Sequence, residues 1–217
     1  KNKVIAYVGL FPFPYGQAAS KRVLGNVTLL QNLGYDVVVG HGGALKKDNI
    51  QNDIVDVKSY GLDELFLQKN GLTRLFNFIF KSGDNTINWL NNLSVKPDCV
   101  IVYGGYYRYA NKILKYCKSK NIKVVFDVVE WYEPAQMIGG RYGFFYNSFL
   151  LAFKYVYPKA DGIIAISSRL KNVFENDTLF LTADTLVSLD NKETKTRKLY
   201  AYKKVQVYKS DLSAKCD

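Results

Sequence analysis

One histidine, His41, occurs in 217 residues. Zinc sites built on paired histidines are therefore excluded, and a Ser/His/Asp triad would have to use His41. The three cysteines, Cys99, Cys117 and Cys216, fall at no spacing that suits a metal. Cys99 lies in an apolar run and Cys117 in a helical pattern, so reduced cytosolic thiols are expected. No run is long and apolar enough to span a bilayer. No secretory signal and no internal repeat is visible. No nucleic-acid-binding motif occurs, and nucleic acid is not expected as a partner. Acids are also scarce: 19 Asp/Glu stand against 30 Lys/Arg, a formal charge of +11. That balance favours anionic partners such as an acidic membrane surface or phosphorylated ligands. Much of the excess sits at the end, where residues 192–217 hold eight Lys/Arg and three acids. A solvated basic tail is the plainer reading of that stretch.

What is present begins with an ordered opening unit. Val4-Ile5-Ala6-Tyr7-Val8 is a short apolar run bounded by Gly9, the pattern of a buried strand. Leu10 to Gln17 is a loop punctuated by Pro12, Pro14 and Gly16. A helical pattern follows from Ala18 to Leu33, with Val23, Val27, Leu30 and Leu33 on one face and Gly34 as C-cap. Asp36 to Gly40 is the next strand. Strand, loop, helix, strand is a βαβ unit, and its first loop lies at the carboxyl edge, where open α/β sheets bind ligands.

Further along, apolar strands are expected at 54–57, 98–103, 122–129 and 160–166. Helices are expected at 72–93, broken near Ser82-Gly83, at 106–120, at 141–157 before Pro158, and from Ser168 to about Phe174. Strands that are apolar throughout and alternate with helices imply a parallel sheet covered on both faces. The expected fold is a Rossmann-like α/β/α domain with about six or seven parallel strands, spanning residues 1–190. Thr178 to Leu181 reads as one more strand. Residues 191–217 read as a basic tail or the start of a further domain.

Four stretches together resemble the N-terminal domain of GT-B glycosyltransferases, and most closely retaining family 4. They are Val4 to Gly16 with Ala18 to Arg22 and Leu33 to Val39; Lys96-Pro97-Asp98 to Tyr103; Ile122 to Trp131; and Ala160-Asp161-Gly162 to Leu170. The resemblance covers residues 3–175. It implies an acceptor-binding domain whose partner domain would bind a nucleotide-sugar donor, with transfer in the cleft between them. The basic donor-phosphate residues and paired glutamates of that partner domain do not occur here. Activity of this chain alone is therefore not expected.

Candidate site residues follow from strand ends. Gly16 and Gln17 open the first helix, where free N–H groups and the positive dipole end suit phosphate. The spacing fails the three-glycine dinucleotide fingerprint. Lys21 and Arg22 lie in the first turns, and Arg22 is the better candidate for an anionic ligand. Tyr103, Gly104 and Tyr106 end the next strand and offer aromatic faces and hydroxyls to a sugar. Asp127, Glu130 and Trp131 follow the strand after that. Glu130 is the candidate base for an acceptor hydroxyl, and Asp127 and Trp131 are candidate sugar contacts. Ser167 and Arg169 end the last strand, where Ser167 is either a ligand contact or a helix cap.

The leading reading is the acceptor half of a retaining hexosyltransferase in surface polysaccharide or glycoconjugate synthesis. A nucleotide sugar would be its co-substrate, a sugar or lipid-linked sugar its acceptor, with no cofactor and no metal. The alternative is a non-catalytic module that holds a glycan, a nucleotide or a membrane-bound partner. The aromatic, basic segments 72–81 and 141–155 suggest a cytoplasmic chain held peripherally at the inner face of an anionic membrane. Packing inside the core is the plainer reading of both segments.

Overall fold

The computed structural model describes residues 2–14, 18–44, 57–66, 70–166 and Leu170 in full. It describes 46–52, 55–56, 180–182, 185–191, 196–202, 205–209 and 212–216 as backbone. The elements in chain order are β1 (Val4–Gly9), α1 (Ala18–Asn32), β2 (Asp36–His41), β3 (Lys46–Asn52), β4 (Val55–Gly61), α2 (Gly71–Phe80), α3 (Asp84–Asn91), β5 (Cys99–Tyr103), α4 (Tyr107–Ser119), β6 (Lys123–Val128), α5 (Phe144–Tyr155), β7 (Gly162–Ala165) and β8 (Phe180–Thr182). Four strands follow: β9 (Thr185–Asn191), β10 (Thr196–Tyr202), β11 (Val205–Lys209) and β12 (Leu212–Cys216).

The main sheet runs β12-β11-β8-β7-β6-β5-β1-β2-β4-β3. The seven strands from β8 to β4 are mutually parallel, as the buried, unalternating runs imply. Antiparallel strands close both edges: β3 on β4, and β11 and β12 beyond β8. β9 and β10 pair antiparallel as a separate ribbon. The 190/191 boundary thus falls at the end of β9, and strands continue beyond it.

Side chains along β1 alternate between two cores. Ile5 and Tyr7 face Val23 and Val27 of α1, together with Phe11, Phe13, Val37, Val39 and Ile101. Ala6 and Val8 face the other layer, which holds Ile113 and Leu114 of α4 and Phe149 and Phe153 of α5. The period of two sends successive residues to opposite faces, so one strand serves both helical layers.

Two differences from the sequence expectation have physical causes. β3, Lys-Lys-Asp-Asn-Ile-Gln-Asn, is polar except for Ile50 and sits at the sheet edge, where no apolar alternation is required. The helix expected over 141–157 is interrupted. A 3-10 turn at Gly140–Tyr142 precedes α5, and a second at Tyr157–Lys159 follows it. A Cβ on Gly143 would lie 2.2 Å from the Ile138 carbonyl oxygen, so the chain can turn there only with glycine. The break expected near Ser82-Gly83 divides 72–93 into two helices, α2 and α3, with Gly83 at φ 91° between them. The helix expected after Ser168 lies outside the described residues.

Candidate functional site

Direction reverses between β1 and β5. From β1 the chain builds outward through β2 and β4, and from β5 it builds the other way through β6 and β7. Loops leaving β1 and β5 therefore part and open a crevice at their carboxyl ends, the favoured ligand position of such sheets. Neighbouring loops brace this edge through the backbone. Gly42 N–H donates to the Phe11 carbonyl at 2.9 Å, Asp63 N–H to Gly43 at 2.7 Å, and Gly104 N–H to Asp127 at 2.9 Å.

Under this edge lies a buried polar clamp. Asp127 ends β6 and Tyr7 lies inside β1, both fully buried. Arg22 of α1 grips the Asp127 carboxylate with two donors, Nη2 to Oδ1 at 2.7 Å and Nε to Oδ2 at 3.0 Å. The Tyr7 hydroxyl donates to Oδ2 at 2.5 Å. Asn26, one helical turn after Arg22, donates to Oδ2 at 3.2 Å and to the Tyr7 oxygen at 3.0 Å. A buried carboxylate is tolerated only when so fully paired. Burial, and then the Asp127 charge, push the Tyr7 phenol well above its ordinary value. Burial opposes the Arg22 charge, but the Asp127 hydrogen bond and charge outweigh it and raise the guanidinium.

Beside the clamp is a cavity of about 180 Å³. Tyr103, Gly104, Tyr106, Glu130 and Tyr132 line it, with Phe149 and Tyr157 among its apolar walls. The Tyr157 hydroxyl donates to the Gly105 carbonyl at 2.7 Å and so fixes the loop after β5. Gly104 and Gly105 have φ of 54° and 117°, left-handed backbone that brings main chain to the cavity. Glu130 is exposed at the rim. Tyr132 lies near it, and burial followed by that carboxylate raises the Tyr132 phenol. Burial also raises Tyr103, with Asp127 adding to the shift and Arg22 opposing it. Clamp and cavity thus share one electrostatic environment. The cavity is below the ~300 Å³ at which small-molecule pockets usually begin, so it can enclose only part of a sugar-sized ligand.

A larger cleft of about 670 Å³ lies at the opposite, amino edge, lined by Asn2, Tyr35, Asp36, Lys58 and Tyr60 among others. It is remote from the switch point and has no comparable buried polar network. The smaller cavity is the better candidate on position and chemistry.

Of the residues singled out from sequence, Tyr103, Gly104, Tyr106 and Glu130 meet at this cavity. Arg22 and Asp127 meet each other instead. Asp127 is fully buried with its oxygens occupied, so it positions Arg22 and the loop at Gly104 and has no room for a sugar. Trp131 is displaced from the expected site. It packs edge-on against Phe149 at 5.7 Å and Phe153 at 5.2 Å, within the helical layer. Gly16, Gln17, Ser167 and Arg169 lie outside the described residues. His41 is buried, accepts the Gly43 N–H at Nδ1 and leans on Phe13. Among the described residues, no group of acids, cysteines or histidine is arranged to hold a metal.

Sequence reasoning missed Tyr7 and Asn26. The available signal was a tyrosine inside an otherwise aliphatic buried strand, whose hydroxyl must find a partner. It also missed Glu64, fully buried, which accepts Gly83 N–H and Thr86 N–H at 2.8 Å each and caps α3.

No protein-family profile matches this chain. No curated protein matches it in sequence. Solved structures do match in shape. The crystal structure of LpCGTa in complex with UDP aligns over 85% of this chain with a TM-score of 0.54 at 11% identity. The chain covers 53% of LpCGTa, about half its length. UGT89C1 of Arabidopsis thaliana complexed with UDP gives a TM-score of 0.46 at 15% identity over 85% of this chain and 52% of its own. OtsA without ligand gives 0.40 at 13% identity over 93% and 47%. The chain has the Rossmann-like α/β fold of one half of a GT-B structure.

Proposed function

We propose that this chain is the acceptor-binding half of a GT-B glycosyltransferase that uses a nucleotide-sugar donor. The single observation that carries the reading is the carboxyl-edge cavity at the β1/β5 switch point, with Glu130, Tyr132 and Tyr103 at its rim, on a fold shared with half of LpCGTa. An acceptor sugar would lie against Tyr103 and Tyr106, with the main chain of Gly104 and Gly105 beside it. Glu130 would accept the hydroxyl proton as the acceptor oxygen bonds to the anomeric carbon and the nucleoside diphosphate departs. Tyr132 lies near that carboxylate. Asp127 and Arg22 act as positioning residues by fixing α1 against β6.

The finer reading is of retaining, family-4-like hexosyl transfer to a sugar or lipid-linked sugar, in polysaccharide or glycoconjugate synthesis at the cytoplasmic face of a membrane. It rests on the sequence resemblance alone. The donor half is assigned to protein outside residues 1–217, and no cofactor is assigned. The alternative of a non-catalytic glycan-binding module shares the same cavity. Turnover separates the two readings. Residues 1–217 alone are expected to release negligible UDP from nucleotide sugars. Joined to a donor domain, they are expected to transfer sugar, with Glu130→Gln lowering turnover about a hundredfold or more while leaving the melting temperature unchanged. Full activity of Glu130→Gln would remove that residue from the chemistry.

A further inference from the structure

Helix α2 leaves much of its apolar surface exposed. Asn77 is buried at 7% exposure, while Leu72 is 85% exposed, Phe76 56% and Phe80 48%. A helix on a water-facing domain normally turns its apolar stripe inward. The other side of α2 packs on the neighbouring layer. Half-buried Phe78 of α2 meets Tyr106 at 5.4 Å and Phe145 of α5 at 5.7 Å, and Phe145 meets the exposed Phe144 edge-on at 5.5 Å. Just before α5, Tyr142 is 93% exposed. Packed rings thus link the exposed residues of α2 to those at the start of α5, and one of these rings, Tyr106, also lines the cavity.

The two segments carry only positive charge, and the acid beside the end of α2, Asp84, is paired with Lys112 at 2.6 Å. Residues 70–81 and 138–155 carry Arg74, Lys81, Arg141 and Lys154 and no acid. The Arg108 guanidinium sits 5.3 Å from the Phe80 ring, and the Lys154 ammonium 5.3 Å from the Tyr155 ring. Cations on exposed rings place apolar and positive surface side by side, which suits the headgroup region of an anionic bilayer. No helix among the described residues is long and apolar enough to cross a membrane.

We propose that the exposed apolar face of α2, with the turn leading into α5, docks this chain onto an anionic lipid surface. The occupant is the bilayer itself: the aromatic side chains enter the headgroup boundary, and Lys81, Arg108 and Arg141 meet lipid phosphate. This places the cavity, through Tyr106, beside the lipid surface. The docking does not depend on the glycosyltransferase reading, because its test reads vesicle partition and no sugar chemistry.

The test is cosedimentation of residues 1–217 with phosphatidylcholine vesicles and with phosphatidylcholine–phosphatidylglycerol vesicles, at low and high salt. Binding is expected to the anionic vesicles only, and to be lost at high salt. Phe76→Ser/Phe80→Ser and Lys81→Glu/Arg141→Glu should each weaken partition by roughly tenfold or more, with unchanged melting temperature. Two kinds of double variant are used so that loss of binding cannot be ascribed to one damaged surface. Equal binding to neutral vesicles, or no binding to either, would overturn the proposal. So would a concentration-dependent dimer dispersed by Phe76→Ser/Phe80→Ser, which would assign the face to a second copy of the chain.

Discussion

At the scale of single residues, the clamp of Tyr7, Arg22, Asn26 and Asp127 concentrates the most free energy. Its members are coupled, so removing one leaves others buried without partners. Arg22→Ala strands the fully buried Asp127 carboxylate and is expected to cost about 3 kcal/mol in urea unfolding. Tyr7→Phe removes one hydroxyl and is expected to cost about 1–2 kcal/mol. Arg22→Lys should fall between them, since a single ammonium cannot reproduce the two-donor grip. Losses below about 0.5 kcal/mol for all three would mean that solvent screens the clamp. Sequence showed Arg22 and Asp127 as charged residues at strand and helix ends, a pattern equally suited to binding a ligand. Burial decides between the two roles, and burial of a charge depends on which strand lies beside which helix. Glu130 and Tyr106 were legible because a residue just past a buried strand must emerge at the sheet edge.

At the scale of elements, two glycines give opposite expectations. Gly25 lies inside α1 with nothing within 4 Å of an added Cβ. Gly25→Ala should stabilise by about 0.5–1 kcal/mol, because alanine loses less backbone freedom on folding. Gly143→Ala meets the Ile138 carbonyl and should lower the melting temperature by several degrees, roughly 1–2 kcal/mol. Calorimetry of the two variants checks both signs. If Gly143→Ala were neutral, the turn before α5 would not be as tight as found here. The same contrast explains which elements sequence reveals. Strands buried on both faces, such as β1 and β5, must be apolar and are easily read. β3, at the edge, carries no such requirement. Trp131 was misplaced because an aromatic residue after a strand suits a sugar platform and a helix–sheet filler equally well; α5 supplies the partner rings that decide it.

At the scale of the whole molecule, buried thiols and phenols set the response to alkaline pH. Burial raises the thiols of Cys99 and Cys117 from about 9 to about 12. Burial likewise raises Tyr7, Tyr109 and Tyr157 far above their ordinary values. In each case the folded chain holds the proton more tightly than the unfolded chain. The associated stability is therefore complete below the unfolded value and is lost as pH rises through the folded one. For the thiols that window runs from about 9 to about 12. Each contributes a loss of up to about 1.4 kcal/mol per pH unit inside it, and the tyrosines add to the loss from about 10 upward. Urea unfolding under reducing conditions should show a flat midpoint near neutrality and a steep fall on the alkaline side. A midpoint unchanged into that window would mean the buried thiols are accessible to solvent.

The central claim is that the carboxyl-edge cavity, and not the larger amino-edge cleft, is the site for a polyhydroxylated ligand. The most direct measurement is an amide-resolved NMR titration of residues 1–217 with a panel of hexose disaccharides. The expected result is chemical-shift change at Gly104, Gly105, Glu130 and Tyr132, weakened in Glu130→Gln. Shift changes confined to Tyr35, Asp36, Lys58 and Tyr60 would contradict it.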